Sequence, residues 1–265
     1  MAHPNFLLNS STLVIGGSSG IGFAVASAAL SNGSKVHITS VTPEKLTAKV
    51  SQLQSLYTNA HVKGSVADLS STETLEIILQ AVLDAAVTET GGPLDHIVYT
   101  AGEAVIGKTT LAELTAETAL QPLTVRYLGP LLVGKLVSVN PGKYLKAAHT
   151  SSITLTSGSL AHRPRPGLSP VIGVAGAVEV LTRALAVDLA PIRVNVVIPG
   201  VVNTELVQKL IEENADVLNV FKRASLTKEL GTPEGTAEAY LFCMRSTLAT
   251  GQGFEIDNGS SLVYH

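Results

Sequence analysis

The run Leu13-Val14-Ile15-Gly16-Gly17-Ser18-Ser19-Gly20-Ile21-Gly22 has the make-up of a phosphate cradle. Apolar and β-branched residues from Thr12 to Ile15 read as a buried strand, and Ile21 to Leu30 as a helix that stops at Asn32-Gly33. Between them the glycines permit a tight turn and close approach of a ligand. The free N–H groups and the helix dipole favour an anion, which marks Gly16, Ser18, Ser19, Gly20, Ile21 and Gly22 as a binding loop. A strand-to-helix turn without a ligand also uses glycine. The place of this turn between strand and helix, and its G-x-x-x-G-x-G spacing, favour the cradle.

Three further residues carry candidate chemistry. Arg126 lies among Leu123, Leu128, Leu131 and Leu132, which read as a buried helix. A permanent cation is costly to bury without a partner. Arg126 therefore pairs with an acid or a cofactor group, faces a polar ligand, or reaches solvent. Ser157 ends an apolar strand, where a hydroxyl either orients a ligand or satisfies the strand end. His162 stands in the basic, Pro-rich loop His162-Arg163-Pro164-Arg165-Pro166, either as an acid–base group or as an ordinary loop residue. Cys243 is the only cysteine, which excludes an intramolecular disulfide and a cysteine-based zinc site; no metal is expected.

Alternating strand and helix signals must position these groups. Strands are expected at Thr12–Ile15, Lys35–Thr39, His61–Ser65, His96–Tyr99, Ile153–Thr156, Arg193–Val197 and Gly253–Ile256. Helices are expected near Gly22–Ser31, Pro43–Tyr57, Ser71–Thr88, Thr115–Val137, Ile172–Leu189, Thr204–Lys222 and Pro233–Ser246. The pattern predicts an α/β fold, one Rossmann-type doubly wound domain over residues 1–265 with a seven-stranded parallel sheet. Ligands then bind beyond the carboxyl ends of the strands.

Composition narrows the function. The chain has 265 residues, 45% of them hydrophobic and 15% charged, which excludes a disordered chain and suits extensive burial. A net charge of -3 gives no polycationic face, so nucleic acid is not an expected partner. The N-terminus lacks the pattern of a secretory signal, and no apolar run is read as reaching a membrane span of ~18 residues. A soluble, cytoplasmic protein acting on a small molecule is the expectation.

The glycine loop resembles the cofactor loop of the short-chain dehydrogenase/reductase (SDR) family, and further segments resemble that family in order along the chain. Tyr99-Thr100-Ala101-Gly102 resembles its N-N-A-G segment, with Thr100 replacing an asparagine that bonds neighbouring strands. Pro199-Gly200-Val201-Val202-Asn203-Thr204 resembles P-G-x-x-x-T, and Asp257-Asn258-Gly259 the terminal D-G-G turn. The resemblance implies cofactor contacts from Thr100, Ala101, Gly102, Pro199, Gly200, Val202 and Thr204. It places Asp68 and Leu69 at the adenine, with helix capping as the other use of Asp68. The second strand ends in Ser40-Val41-Thr42, without the acid that binds NAD ribose hydroxyls; Ser40 and Thr42 favour NADP(H), with a helix start at Thr42-Pro43-Glu44 as the other, compatible use of Thr42. The segment 204–222 corresponds to a substrate lid. Assembly as a homodimer or homotetramer through the helices near Thr115–Val137 and Ile172–Leu189 is also implied.

The resemblance breaks at the catalytic pair. The family reads Y-x-x-x-K after the fifth strand; here those positions are Val171 and Ala175. Neither can carry a proton. Ser157 falls at the family's serine, and Arg126 at its helix asparagine. In these respects the chain is similar to the SDR-fold intramolecular Diels–Alderases of the malbrancheamide and paraherquamide indole-alkaloid type. Those use an Asp in the loop after the fifth strand, and none lies here between Ser157 and Val171. The implied function is an NADP(H)-binding cyclase of secondary metabolism, with iminium reduction as a coupled step. The alternatives are an NADPH-dependent reductase whose proton comes from His162 or water, and a non-catalytic NADP(H)-binding protein.

Overall fold

The computed structural model describes residues 4–102 and 111–263. Seven strands form one sheet: β1 (Ser11–Ile15), β2 (Lys35–Ser40), β3 (Val62–Val66), β4 (His96–Tyr99), β5 (Ser152–Thr156), β6 (Arg193–Pro199) and β7 (Gly253–Ile256). All pairs are parallel, in the order β3-β2-β1-β4-β5-β6-β7. The helices are α1 (Gly20–Ser31), α2 (Pro43–Leu56), α3 (Leu75–Thr90), α4 (Ala116–Leu123), α5 (Gly129–Val139), α6 (Ser169–Asp188), α7 (Glu205–Glu213), α8 (Asp216–Arg223) and α9 (Pro233–Arg245).

Alternation along the strands divides the core into two layers. Leu13 and Ile15 of β1, Ile97 and Tyr99 of β4, and Val194, Val196 and Ile198 of β6 face α3, α5 and α6. Val14, Val98 and Val197 face α1, α2 and α9. Both faces are covered, so the strands are apolar on both sides rather than alternating with polar residues. Arg193, buried in β6, donates to the Cys243 and Met244 carbonyls at the end of α9 at 2.7 and 3.0 Å. It thereby satisfies carbonyls left open at a helix C-terminus. The chain runs outward from β1 to β3 and then crosses back to β4. That reversal opens a crevice at the carboxyl ends of β1 and β4, where Ile15 and Tyr99 lie in register.

Two long helices expected from the sequence are each divided. Thr115–Val137 becomes α4, a π-helical turn over Thr124–Leu128, and α5. Pro122 and Pro130 lack the N–H an unbroken α-helix needs. The proposed lid becomes α7 and α8, separated where the Asn214 side chain accepts from the Asp216 amide at 3.0 Å. α3 starts at Leu75 rather than Ser71, and no side chain caps it.

One correction concerns membranes. α6 is long and apolar enough to cross one by length and composition, contrary to the expectation that no run would be. In the fold it packs beside β5 and β6, with Val178, Leu181 and Leu185 in the core.

Candidate active site

The crevice is a cleft of about 1020 Å³ walled by the glycine loop, the ends of β2 to β6, and α7 and α8. Gly16 has φ +88°, and a Cβ there would come within 2.6 Å of the Ala101 amide nitrogen. At Gly22 a Cβ would overlap the Gly16 carbonyl and the Thr100 hydroxyl. Close packing of loop, helix and β4 therefore requires glycine at both positions. Ser19 makes no side-chain cap on α1, whose first turn holds no acid. The Gly20 N–H instead donates to Glu205 Oε2 of α7 at 3.0 Å. A carboxylate is thus seated at the helix N-terminus expected to take a phosphate, which shows that this amide receives an anion.

At the end of β2, Ser40 Oγ lines the cleft, is buried, and has no hydrogen-bond partner among the described residues. Lys45 and Lys49 of α2 line the same wall. Thr42, expected beside the cofactor, lies outside the lining; its Oγ accepts from the Lys45 amide at 3.3 Å and caps α2. Asp68 accepts from the Ser70 hydroxyl and amide at 2.7 and 3.0 Å, and these bonds hold its carboxyl below the usual range. Leu69 is buried beside it. Thr100 donates from both N and Oγ to the Ile15 carbonyl, at 2.9 and 3.1 Å, so it ties β4 to β1 as the replaced asparagine would. Ala101, Gly102, Pro199, Gly200, Val202 and Thr204 complete this part of the cleft. At Gly200 a Cβ would lie 2.7 Å from the Asp257 Cα, so β6 and the turn after β7 meet there.

At the other end, the π turn presents Arg126 to the cleft. Its guanidinium lies against Gly102, where a Cβ would stand 2.7 Å from Nη1 and Nη2. The turn arises because the Gly129 N–H bonds the Thr124 carbonyl, five residues back. The Val125 carbonyl loses that helical donor and accepts from the buried Tyr99 hydroxyl at 2.7 Å. Burial pushes the Tyr99 phenol well above its usual range, so it stays a donor.

Ser157 lines both the cleft and a side chamber of about 120 Å³. Val171 and Ala175 form one wall of that chamber, with Leu160, Val174 and Val178. Behind the hydroxyl, Ser157 Oγ lies 3.0 Å from the Ala175 carbonyl and 2.9 Å from Glu179 Oε1. Glu179 Oε2 is 2.9 Å from His162 Nε2, and His162 Nδ1 is 3.3 Å from Glu255 Oε1. The His162 side chain is therefore outside the cleft lining and reaches Ser157 through Glu179. The hydrogen bond to Glu179 raises the His162 pKa against the opposing effect of burial, and Glu255 adds to the rise.

Residues 3–263 match the model of the SDR-like Rossmann domain. The chain belongs to the short-chain dehydrogenase/reductase family. Within that family it is similar to the SDR malC of Malbranchea aurantiaca, 36% identical over 262 residues that cover 97% of each chain. The solved structure of the MalC reductase/Diels–Alderase from that organism matches at a TM-score of 0.91, covering 98% of this chain and 99% of that one at 36% identity. The SDR ATR9 of Stachybotrys chlorohalonatus is 37% identical over 252 residues, 95% of this chain and 97% of its own. An NADPH-bound short-chain oxidoreductase from Pseudomonas aeruginosa, described as containing an atypical catalytic center, matches at a TM-score of 0.84 and 26% identity, covering 97% and 98%.

The sequence reading did not single out Glu179, Glu205, Glu255, Lys45 or Lys49 as members of the SDR site. Spacing marks Glu179, Lys45 and Lys49 but not Glu205 or Glu255. Glu179 continues the helical stripe Val171, Ala175 at the same spacing. Lys45 and Lys49 are one turn apart on the helix that follows Ser40.

Proposed function

We propose that this SDR-family enzyme binds NADP(H) and carries out cyclisation, of the intramolecular Diels–Alder type, on an alkaloid-like substrate of secondary metabolism. The observation that carries this reading is the side chamber. Its wall presents Val171 and Ala175 where a proton-donating Tyr/Lys pair would act, while Arg126 remains as its cation. Cycloaddition needs a shaped cavity more than an acid. Holding diene and dienophile in a reactive conformer supplies up to roughly 7–11 kcal/mol of the barrier. Arg126 donates to a substrate carbonyl or amide and draws electron density from the reacting system. Leu206, Leu210, Phe221 and Leu230 give the outer cleft an apolar wall, and α7 and α8 form the lid over an apolar substrate. The similarity to the MalC reductase/Diels–Alderase agrees with this reading.

The cofactor site fits a dinucleotide phosphate, since a carboxylate already rests on Gly20 and the loop excludes a Cβ at Gly16 and Gly22. The unpartnered Ser40 hydroxyl and the cations of Lys45 and Lys49 favour NADP over NAD, because a 2′-phosphate needs donors and positive charge there. Bound in that cleft, NADPH supplies a hydride for reduction of an iminium, which already carries its charge and needs no Tyr proton.

A carbonyl or imine reductase is the second reading, favoured by the hydrogen-bonded path from Ser157 through Glu179 to His162. The exposed Val180 and Val187 of α6 suit assembly as a homodimer or homotetramer.

One experiment separates these readings: incubation with NADPH and candidate alkaloid precursors, followed by product mass and stereochemistry. Cyclisation gives an isomer of unchanged mass with one configuration, and Arg126→Ala lowers its rate at least about 100-fold. A product heavier by two hydrogens and not ring-closed supports the reductase, whereas a ring-closed product at that mass is cyclisation coupled to iminium reduction. Tight NADPH binding without turnover supports a binding protein. Full cyclisation by Arg126→Ala removes the role given to that residue.

A further inference from the structure

The polarity of Ser157 is fixed from behind. A hydroxyl has one proton and two acceptor sites. Both partners within reach of Ser157 Oγ, the Ala175 carbonyl and the Glu179 carboxylate, are acceptors. The proton is therefore committed away from the cleft whichever of them takes it. The oxygen then turns its lone pairs toward the cleft and the side chamber, both of which Ser157 lines. Glu179 is itself held in place, because His162 Nε2 meets its second oxygen at 2.9 Å and Glu255 meets the other ring nitrogen, Nδ1, at 3.3 Å. With His162 protonated, two carboxylates and one imidazolium leave one net negative charge behind the hydroxyl. The hydrogen bond to Glu179 raises the His162 pKa and so favours the protonated ring. Arg126 lines the same chamber with the opposite polarity, since a guanidinium only donates.

We propose that Ser157, oriented by Glu179, accepts a hydrogen bond from an N–H of the bound ligand rather than donating one to a carbonyl. The ligand class is a nitrogen compound, an amide or a protonated amine. An amide carbonyl is served by Arg126 and its N–H by Ser157, so the chamber reads both ends of one amide. This holds whether the enzyme cyclises or reduces, because it concerns binding polarity and not the reaction. Glu179 acts through Ser157 and is a positioning residue.

The test uses a matched pair of small probes on the full-length protein loaded with NADPH. 2-Piperidone carries an N–H where δ-valerolactone carries an oxygen, and the two are nearly the same size. Binding is measured by ligand-observed NMR. The wild type is expected to prefer the lactam by at least about tenfold. Ser157→Ala loses that preference. Glu179→Gln weakens it, because the new amide can donate to Ser157 and compete with the ligand N–H for its lone pairs, while the Ala175 carbonyl still accepts the serine proton. A thermal melt checks that each variant is folded. Should Glu179→Gln fail to fold, Ser157→Ala decides alone. The proposal is overturned by equal binding of the two probes to the wild type, by a preference that persists in Ser157→Ala, or by no lactam binding up to its solubility. None of these outcomes depends on turnover, so they leave the cyclase reading to its own experiment.

Discussion

Glu205 occupies the amide that a cofactor phosphate is expected to claim. Its Oε2 lies 3.0 Å from the Gly20 nitrogen, at the start of a helix with no acid of its own in the first turn. Phosphate and carboxylate compete for that amide and repel one another. Replacing Glu205 by Gln removes the charge and keeps an acceptor. An anion at a helix N-terminus contributes about 0.3–1 kcal/mol, so NADPH is expected to bind Glu205→Gln about 2- to 5-fold more tightly by fluorescence titration. Weaker binding would show instead that Glu205 holds the lid in a cofactor-ready position. Residues of this kind were only partly legible in the sequence. Gly16, Gly22, Arg126 and Ser157 were read because each falls at a spaced motif. Glu205 acts through a contact distant in sequence, to Gly20, which no local pattern announces; for Glu179 the helical stripe marks the face but not the meeting with Ser157 and His162. Thr42 was read as a cofactor group, yet the helix start beside it took its hydroxyl.

The π turn is the element that aims Arg126, and Tyr99 and Gly129 hold it. The Tyr99 hydroxyl fills the place of the helical donor that the Val125 carbonyl lacks, and a Cβ at Gly129 would overlap that same hydroxyl. Tyr99→Phe leaves a buried carbonyl unsatisfied, at a cost of about 1–3 kcal/mol. Gly129→Ala alone is expected to destabilise more, because the collision is with a fixed ring. In the Tyr99→Phe background the Ala should cost less, since the colliding oxygen is gone. Urea unfolding of the four proteins measures this coupling; additive losses would mean that Tyr99 and Gly129 do not meet in this way. The strands were legible to within two residues because β-branched runs are bounded by Gly, Pro and polar turns. The break in the Thr115–Val137 segment was not. Pro122 and Pro130 signal an interruption, but its form depends on Tyr99 from another strand, which helical periodicity cannot register. The division of Thr204–Lys222 has a local cause in Asn214, a short polar side chain that ends α7 and accepts from the Asp216 amide two residues on.

Across the whole molecule, two buried histidines make the sheet sensitive to acid. His37 of β2 bonds Ser65 of β3, and His96 of β4 bonds Ser152 of β5, each at 2.9 Å. Burial lowers both pKa values from 6.5 to about 4, outweighing the nearby Glu89 for His37 and Asp95 for His96. Between those values the unfolded chain binds protons that the folded chain refuses, so stability rises with pH and falls on acidification. From pH 7 down to about 5 the loss is about 2 kcal/mol per histidine. His162 works in the other sense: its raised pKa gives stability that is complete below 6.5 and lost as pH climbs through the folded value, above this window. Asp68 and Asp257, both held below their ordinary 3.8, enter only in stronger acid. Urea midpoints measured from pH 7 to about 5 should therefore fall steeply for the wild type. His96→Gln, which cannot titrate, should start less stable but lose about 2 kcal/mol less over the same range. The difference in slope is the readout, since it is independent of the packing cost of the substitution. Parallel curves for the two proteins would show that His96 is already protonated in the folded sheet.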